Sequence, residues 1–201
     1  MKRKIVIATM NDHKASEIRA LIGDHYEVLT QRTLSIPSVP ETGMTFEENA
    51  LIKASEVSEK TGLLTLADDS GLEVDLLDGK PGVYSAIFAG PSATDTENNK
   101  RLLMELDKFR DVKITARFQS VIVLVDPLDG SKNFFHGTWE GRIIHNPRGK
   151  NGFGYDPLFY IESLESTAAE LNQTEKNKLS HRARAMRKAT NYLEKKTFKT
   201  E

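Results

Sequence analysis

Short apolar runs alternate with helical patterns along most of this chain, and this alternation limits the possible folds more than any other feature. Residues 4–9 predict a buried strand, and a polar turn then leads into helical spacing that continues through Ile22. A capping box at Thr45 opens a second helix that Gly62 can end, and an apolar run at 64–68 predicts the next strand. Strands separated by helices indicate an α/β fold.

The second half of the chain continues the alternation. A second capping box predicts a helix over 94–106, and alternating apolar residues from Val112 predict a long strand. Turn residues at 127–130 lead into another strand around 133–144, and a helix of about 20 residues begins at Thr174. The pattern therefore predicts a central mixed β-sheet flanked by helices.

Length and composition limit the classes of protein that this chain can belong to. At 201 residues it has room for one sizeable core, so we expect a single domain over 1–201. A net charge of -1 gives no general attraction to nucleic acid or to an anionic membrane, and the absence of cysteine excludes disulfides and thiolate metal sites. Polar residues from Asn11 onward end the first apolar run too early for a secretory signal, so we expect a cytoplasmic protein.

The sharpest chemical signal is the segment Ala-Asp-Asp-Ser-Gly at 67–71, where the predicted strand 64–68 ends. The adjacent carboxylates of Asp68 and Asp69, followed by the small Ser70, bring oxygen ligands to one point. Proteins usually hold Mg²⁺ by one or two carboxylates together with substrate phosphates, so this segment predicts a magnesium site. For these residues alone, a solvated turn is an equally good interpretation.

A second cluster surrounds the start of the helix that Thr45 caps. Glu41 precedes this helix, and Asn49 and Lys53 lie four residues apart and so share one of its faces. The carboxylate suits a metal, and the lysine suits the charge that develops during phosphoryl transfer. An ordinary charged helix face is the simpler alternative.

The loop between the first strand and the first helix is a candidate cradle for phosphates. Backbone N–H groups at a helix N-terminus attract anions, and a lysine adds to that attraction. No Walker A pattern occurs in the chain, so this signal is weak. The loop consists of Thr9, Met10, Asn11, Asp12, His13 and Lys14.

A glycine-rich loop and a later group of donors are candidates for binding a nucleobase. The loop at 152–157 contains Phe153, Gly154, Tyr155 and Asp156. An aromatic ring there could stack on a base, and the acid could accept hydrogen bonds from sugar or base. Lys176, His181 and Arg182 follow and can donate hydrogen bonds. Core packing of the aromatics and a solvated helix face are the alternatives.

Together these clusters supply what a Mg²⁺-bound nucleotide requires, and the absence of an obvious nucleophile favours attack by water. The same residues resemble the inosine triphosphate pyrophosphatase family, the Ham1-like XTP/dITP diphosphatases. The matching blocks follow the family's order across nearly the whole chain, at 9–14, 41–54, 67–72, 81–86, 152–159, 168–171 and 180–182.

The resemblance implies an α/β fold with two lobes and a nucleotide cleft between them, in a homodimer. It also implies Mg²⁺-dependent hydrolysis of purine triphosphates such as ITP, dITP and XTP to monophosphate and pyrophosphate. Two positions depart from the family pattern, because Met10 stands where glycine is frequent and Ile87 stands where arginine is common.

The resemblance also assigns roles residue by residue. Triphosphate would be bound by Thr9, Asn11, Lys14 and Lys53. Glu41 and Asp69 would hold Mg²⁺ with Asp68 close by, Asp69 would accept the proton of the attacking water, and Ser70 would contact substrate. The base would be recognised by Phe153, Gly154, Tyr155, Asp156, Lys176, His181 and Arg182.

Two other functions compete with this one. The segment 126–134 resembles the metal motif of inositol-monophosphatase-like phosphatases, although a hairpin turn between two apolar runs explains its Pro-Leu-Asp-Gly better. Those phosphatases also need a Glu-Glu pair upstream and a Trp-Asp pair downstream, whereas Trp139 is followed here by Glu140. A nucleotide-binding module without catalysis is the second alternative. It would place carboxylates beside phosphates, and this repulsion is costly unless a metal and catalysis require it.

Overall fold

A mixed sheet of seven strands organises the chain, in a computed structural model that describes residues 2–23 and 26–196. The strands are β1 (Arg3–Ile7), β2 (Tyr26–Thr30), β3 (Leu64–Val74), β4 (Ile114–Asp126), β5 (Ser131–Ile143), β6 (Phe159–Ile161) and β7 (Ser166–Thr167). The helices are α1 (Asp12–Ile22), α2 (Phe46–Thr61), α3 (Asp95–Leu106), α4 (Gln173–Leu179) and α5 (His181–Lys195).

The strand order is β2-β1-β3-β4-β5-β6-β7, and the pairing is mixed as predicted. Strand β1 pairs in parallel with β2 and β3, since α1 and α2 provide the crossovers that parallel pairs require. Strand β6 pairs antiparallel with β5 and β7. The α/β class and the central mixed sheet flanked by helices are therefore confirmed.

The predicted helix ends are confirmed by their caps. The Thr45 side chain accepts a hydrogen bond from the Glu48 N–H, and Gly62 ends α2 in the left-handed conformation with its N–H on the Ser58 carbonyl. Thr94 begins α3 with a complete capping box. These local hydrogen bonds satisfy backbone groups that the helix leaves without partners, which is why sequence alone locates them.

Two predictions about element length were wrong. Strand β3 runs to Val74 rather than ending at 68, so the Asp-Asp pair lies inside a strand. The single C-terminal helix predicted from Thr174 is two helices, because Ser180 takes an extended backbone with ψ of 160° and interrupts the helical hydrogen bonds. The short strands β2, β6 and β7 were not predicted.

Contacts within the chain define two compact units. The first unit consists of the described parts of Met1–Asp69, Ser120–Gly137 and His181–Glu201, and the second consists of Ser70–Gln119 and Thr138–Ser180. Each unit has its own apolar core. The core of the first unit includes Ile5, Ile18, Leu66, Ile122, Leu124, Ala185 and Met186. The core of the second unit includes Leu72, Leu102, Phe118, Trp139, Tyr155 and Phe159.

The single-domain assignment stays a prediction, since neither unit is one continuous segment of chain. In the described parts of the chain, no helix is long and apolar enough to cross a membrane.

Phe159 is the centre of an aromatic group in the second core, and its removal tests how much that core contributes to stability. Its ring centroid lies 4.5 Å from that of Phe118 and 5.5 Å from that of Trp139. We expect Phe159→Ala to lower the free energy of unfolding by about 3–5 kcal/mol in urea denaturation, because the substitution leaves a cavity among rings that cannot close over it. The exposed Met104→Ala is the control and should change stability by no more than about 0.5 kcal/mol. Equal effects of the two variants would contradict this packing.

Candidate active site

Asp68 and Asp69 lie side by side in the middle of β3, and both carboxylates are buried. Neighbouring side chains of a strand point to opposite faces of the sheet. The two acids accordingly have different partners, which come from different helices. The sequence predicts that a strand ends at the first of these acids, whereas the strand continues past both.

Asp69 faces α2, where Lys53 and Asn49 reach it together. The Lys53 Nζ donates to Asp69 Oδ1 at 3.0 Å and to the Asp68 carbonyl at 2.9 Å, and Asn49 Nδ2 lies 3.4 Å from Asp69 Oδ2. The same Nζ lies 2.5 Å from Oε1 of Glu41. The predicted shared face of Asn49 and Lys53 is confirmed, and two carboxylates converge on one ammonium group.

The charges of this group are set by burial and by the shared lysine. Burial disfavours the charged ammonium of Lys53, but Asp69 and Glu41 outweigh that effect and raise its pKa above the usual value. Burial also raises the pKa of Asp69, while Lys53 and Lys14 act in the opposite direction. Asp69 is therefore a stronger base than an ordinary surface carboxylate.

Asp68 faces α1 and α5 and is held there as an anion. Its Oδ2 lies 3.1 Å from Lys14 Nζ and 3.1 Å from Arg182 Nη2, and Ser120 Oγ donates to its Oδ1 at 2.6 Å. Burial alone would raise the pKa of Asp68, but Arg182, Lys14 and the Ser120 hydroxyl hold it well below its usual range.

Arg182 is fully buried between two acids. Besides Asp68, its guanidinium binds the carboxylate of Glu17 on α1, and this pairing raises the pKa of Arg182 despite the burial. A charge that is removed from water needs such partners to remain ionised. The pairing thus connects the first turn of α5 to α1 and to β3.

The first loop has the form that the sequence predicts, because it joins β1 to the N-terminus of α1. The Asn11 side chain caps the helix by accepting from the Lys14 N–H at 3.1 Å, and the Asn11 N–H donates to Thr9 Oγ1 at 3.1 Å. Arg32 donates a hydrogen bond to the Met10 carbonyl at 3.1 Å and forms an ion pair with the Asp12 carboxylate at 3.2 Å. Met10, Asp12 and the neighbouring His13 are exposed.

In the second unit, Asp156 organises the predicted base loop. Its Oδ2 accepts from the Phe153 N–H at 2.9 Å and from Lys176 Nζ at 2.5 Å. Lys176 also lies 4.6 Å from the centroid of the Phe153 ring. The structure therefore brings three predicted base contacts together in this unit.

Tyr155 points away from that group. Its ring belongs to the second core, and its hydroxyl donates to the Ser85 carbonyl at 2.8 Å. Burial raises the pKa of this phenol far above its usual value. These contacts are those of a packing residue. The adjacent Gly154 has φ of 61°, and its N–H binds Asp95.

The carboxylates fit a metal that takes part of its ligands from substrate. Across residues 2–23 and 26–196, no group of three or more acidic or histidine side chains is arranged to hold an ion. Glu41 and Asp69 nevertheless converge on the cation of Lys53. Two carboxylates are the usual protein contribution to a Mg²⁺ site that is completed by phosphates and water.

A cavity of about 880 Å³ lies elsewhere, on the second unit beside α3. Its lining includes Asn99, Leu103, His145 and Pro147 but none of the residues that the sequence predicts for the site. The cavity is therefore separate from the Asp69 group.

Comparison with known proteins finds relatives along nearly the whole chain. Residues 5–192 match the Ham1 family. A dITP/XTP pyrophosphatase of Vibrio cholerae is 45% identical over 194 residues, which cover 96% of this chain and 97% of that protein. A dITP/XTP pyrophosphatase of Thermoanaerobacter pseudethanolicus is 48% identical over 195 residues, covering 96% and 98% of the two chains.

The chain belongs to the Ham1 family.

Solved structures agree with this membership. A HAM1 protein from Coxiella burnetii superposes with a TM-score of 0.88 at 43% identity and covers 96% of this chain and 100% of that one. The Ham1 protein of Staphylococcus aureus has a TM-score of 0.85 at 39% identity and covers 96% and 98%. The resemblance found in the sequence is therefore confirmed along the length of the chain.

The competing phosphatase motif has a structural explanation. Residues 127–130 form the turn of the β4–β5 hairpin, with the Gly130 N–H on the Asp126 carbonyl at 2.9 Å. Asp126 pairs with Arg3 and Lys196, and Asp129 also pairs with Lys196. In this protein these acids therefore pair with cations at the hairpin turn and just after α5.

Sequence reasoning missed two members of the Asp68 group, Glu17 and Ser120. Ser120 left a signal, because it is a polar residue on the face of β4 that otherwise carries Phe118, Ile122 and Leu124. Glu17 left no such signal, because its burial beside Ile18 on α1 is visible only in the structure. Their partners come from distant parts of the chain, so local pattern could not assign them.

Removing Arg182 tests the buried ion network. We expect Arg182→Met to lower the free energy of unfolding by about 3–5 kcal/mol, because it leaves the buried charges of Asp68 and Glu17 without this partner. Urea denaturation measures the change. Arg184→Met alters an exposed arginine of the same helix and should stay within about 0.5 kcal/mol of the unsubstituted protein. If the two variants were equally stable, the network would not be a main source of stability.

Proposed function

We propose that this protein is a Mg²⁺-dependent pyrophosphatase that hydrolyses ITP, dITP and XTP to nucleoside monophosphate and pyrophosphate, removing deaminated purines from the nucleotide pool. Relatives of nearly the same length are dITP/XTP pyrophosphatases. The observation that carries the proposal is the convergence of Glu41 and Asp69 on Lys53. Lys14 pairs with the neighbouring acid, Asp68. This group can bind a metal and a polyphosphate at the same place.

Glu41 and Asp69 are the residues that would hold Mg²⁺. When bound, the metal offsets the negative charge of the phosphates and of the departing pyrophosphate. Asp68 has a different role in this proposal, since Arg182, Lys14 and Ser120 already occupy its oxygens. It keeps Lys14 in place at the N-terminus of α1.

Asp69 acts as the base. The water oxygen attacks the α-phosphorus, its proton passes to Asp69, and the bond from the α-phosphorus to the bridging oxygen breaks as pyrophosphate leaves. Lys53 and Lys14 supply positive charge where negative charge increases on the phosphate oxygens.

Selection of the base depends on donors at the first turn of α5. His181, Arg182 or the backbone there would donate to the 6-oxo group of a deaminated purine. A 6-amino purine such as ATP would present a donor to a donor, and one buried polar group without a partner costs about 1–3 kcal/mol. Phe153, Asp156 and Lys176 form the second group proposed to contact the base. The assembly as a homodimer and the cytoplasmic location stay predictions.

The reaction products test the function directly. We expect ITP, dITP and XTP to release pyrophosphate in the presence of Mg²⁺, ATP to react far more slowly, and EDTA to stop the reaction until Mg²⁺ is added back. Phosphate is measured before and after treatment with inorganic pyrophosphatase. Pyrophosphate yields phosphate only after the treatment, whereas single phosphate is detected before it.

Two outcomes would overturn the proposal. Release of single phosphate from ITP would show a different bond cleaved, and release of phosphate from inositol monophosphate would favour the phosphatase that the 126–134 segment resembles. Full activity in EDTA would remove Mg²⁺ from the proposal and leave the rest intact.

Asp69→Asn tests the assigned base. We expect kcat for ITP to fall at least about a hundredfold, since an amide cannot accept the proton, while equilibrium binding of ITP persists. Asp129→Asn is the matched control, because it changes an acid of the competing motif in the same way. Near-normal kcat in Asp69→Asn, or a comparable loss in Asp129→Asn, would contradict the assignment.

A further inference from the structure

Gly137 in β5 lies directly against the first turn of α5. A Cβ atom built on this glycine would lie 2.0 Å from the His181 carbonyl oxygen and 2.6 Å from the Ala185 backbone nitrogen. Both atoms belong to the backbone of α5, so no flexible side chain can move aside. The strand and the helix touch at this point without a side chain between them.

Space, and not backbone conformation, requires glycine at this position. Nine glycines of the described chain have positive φ, and Gly137 is not among them. Another residue could adopt the same backbone, but its Cβ would force the helix away from the strand. Contacts below 3.0 Å between a Cβ and other atoms are essentially absent from real proteins. Even alanine must therefore displace the first turn of α5.

That turn carries the residues assigned to base selection. His181 and Arg182 are its first two residues, and both are buried. Arg182 is fixed at its far end by Asp68 and Glu17, so a shift of the backbone changes the angle at which this turn presents its donors. A displacement of about 1 Å in a positioned group is enough to change rates a hundredfold.

We infer that Gly137 is a positioning residue that sets the purine specificity of this enzyme, by allowing the His181–Arg182 turn to lie against β5. This inference rests on the proposed function, since it concerns the choice between 6-oxo and 6-amino purines. Gly137 does not contact substrate and acts only through the position of α5.

Gly141 offers a matched control in the same strand. A Cβ atom there would lie 2.6 Å from Cζ of Phe159 and 2.7 Å from the Tyr160 carbonyl oxygen. A steric conflict arises here too, with one ring atom and one backbone atom, but it involves β6 and not α5. Gly137→Ala and Gly141→Ala thus share a loss of stability and differ in which element they displace.

The experiment compares kcat/KM for ITP with kcat/KM for ATP in the unsubstituted protein and in both variants. We expect Gly137→Ala to reduce the ITP to ATP ratio by about tenfold or more, as weakening of a hydrogen bond to the base predicts. Gly141→Ala should keep the ratio of the unsubstituted protein. Thermal unfolding of each variant shows how much of any loss in total activity comes from stability.

The outcomes separate the inference from the proposed function. If the unsubstituted protein does not prefer ITP to ATP, the proposed function fails. If it does, but folded Gly137→Ala keeps the same ratio or Gly141→Ala loses it equally, Gly137 has no specific role. Should Gly137→Ala not fold, the same comparison is made with Ala185→Val, which adds volume at a fully buried residue whose backbone nitrogen is one of the two atoms that a Gly137 Cβ would meet. An unchanged ratio in that variant would likewise overturn the inference.

Discussion

The burial of two adjacent acids inside β3 is the constraint on which the site depends. Carboxylates removed from water must be paired or must give up their charge. Because strand geometry sends Asp68 and Asp69 to opposite faces, two separate sets of partners are needed, and different helices supply them. α2 brings Lys53 and Asn49 to one acid, while α1 and α5 bring Lys14 and Arg182 to the other.

This division gives the two acids different chemistry. Asp68 has two cations and a hydroxyl, so it stays ionised and acts as a fixed anchor. Asp69 shares its lysine with Glu41, and burial raises its pKa. The environment, and not the residue type, thus separates the structural acid from the proposed catalytic one. The lysine that pairs with Asp69 and Glu41 is the one proposed to bind phosphate.

Two glycines lie where other parts of the chain approach the backbone closely. Gly137 brings α5 against β5, and Gly152 allows Asp156 to approach the start of the base loop, where a Cβ would meet its Oδ2 at 2.0 Å. At Gly137 the neighbouring atoms belong to backbone, and at Gly152 they belong to the Asp156 side chain that binds the loop. Positions that lack any functional group therefore determine where the functional groups lie.

Sequence by itself determined the α/β class, the capped helices, the hairpin turn at 127–130 and the membership of the family, because each of these depends on local spacing or on ordered motifs. It also located Lys53, Asp68 and Asp69 as chemically important. Only the tertiary structure decided that β3 continues through the acids, that Asp68 and Asp69 face different helices, and that Glu17 and Ser120 complete the Asp68 group. Those outcomes depend on strand pairing, hydrogen bonds and ion pairs between residues far apart in the chain, and a local pattern contains no information about partners that only folding brings together.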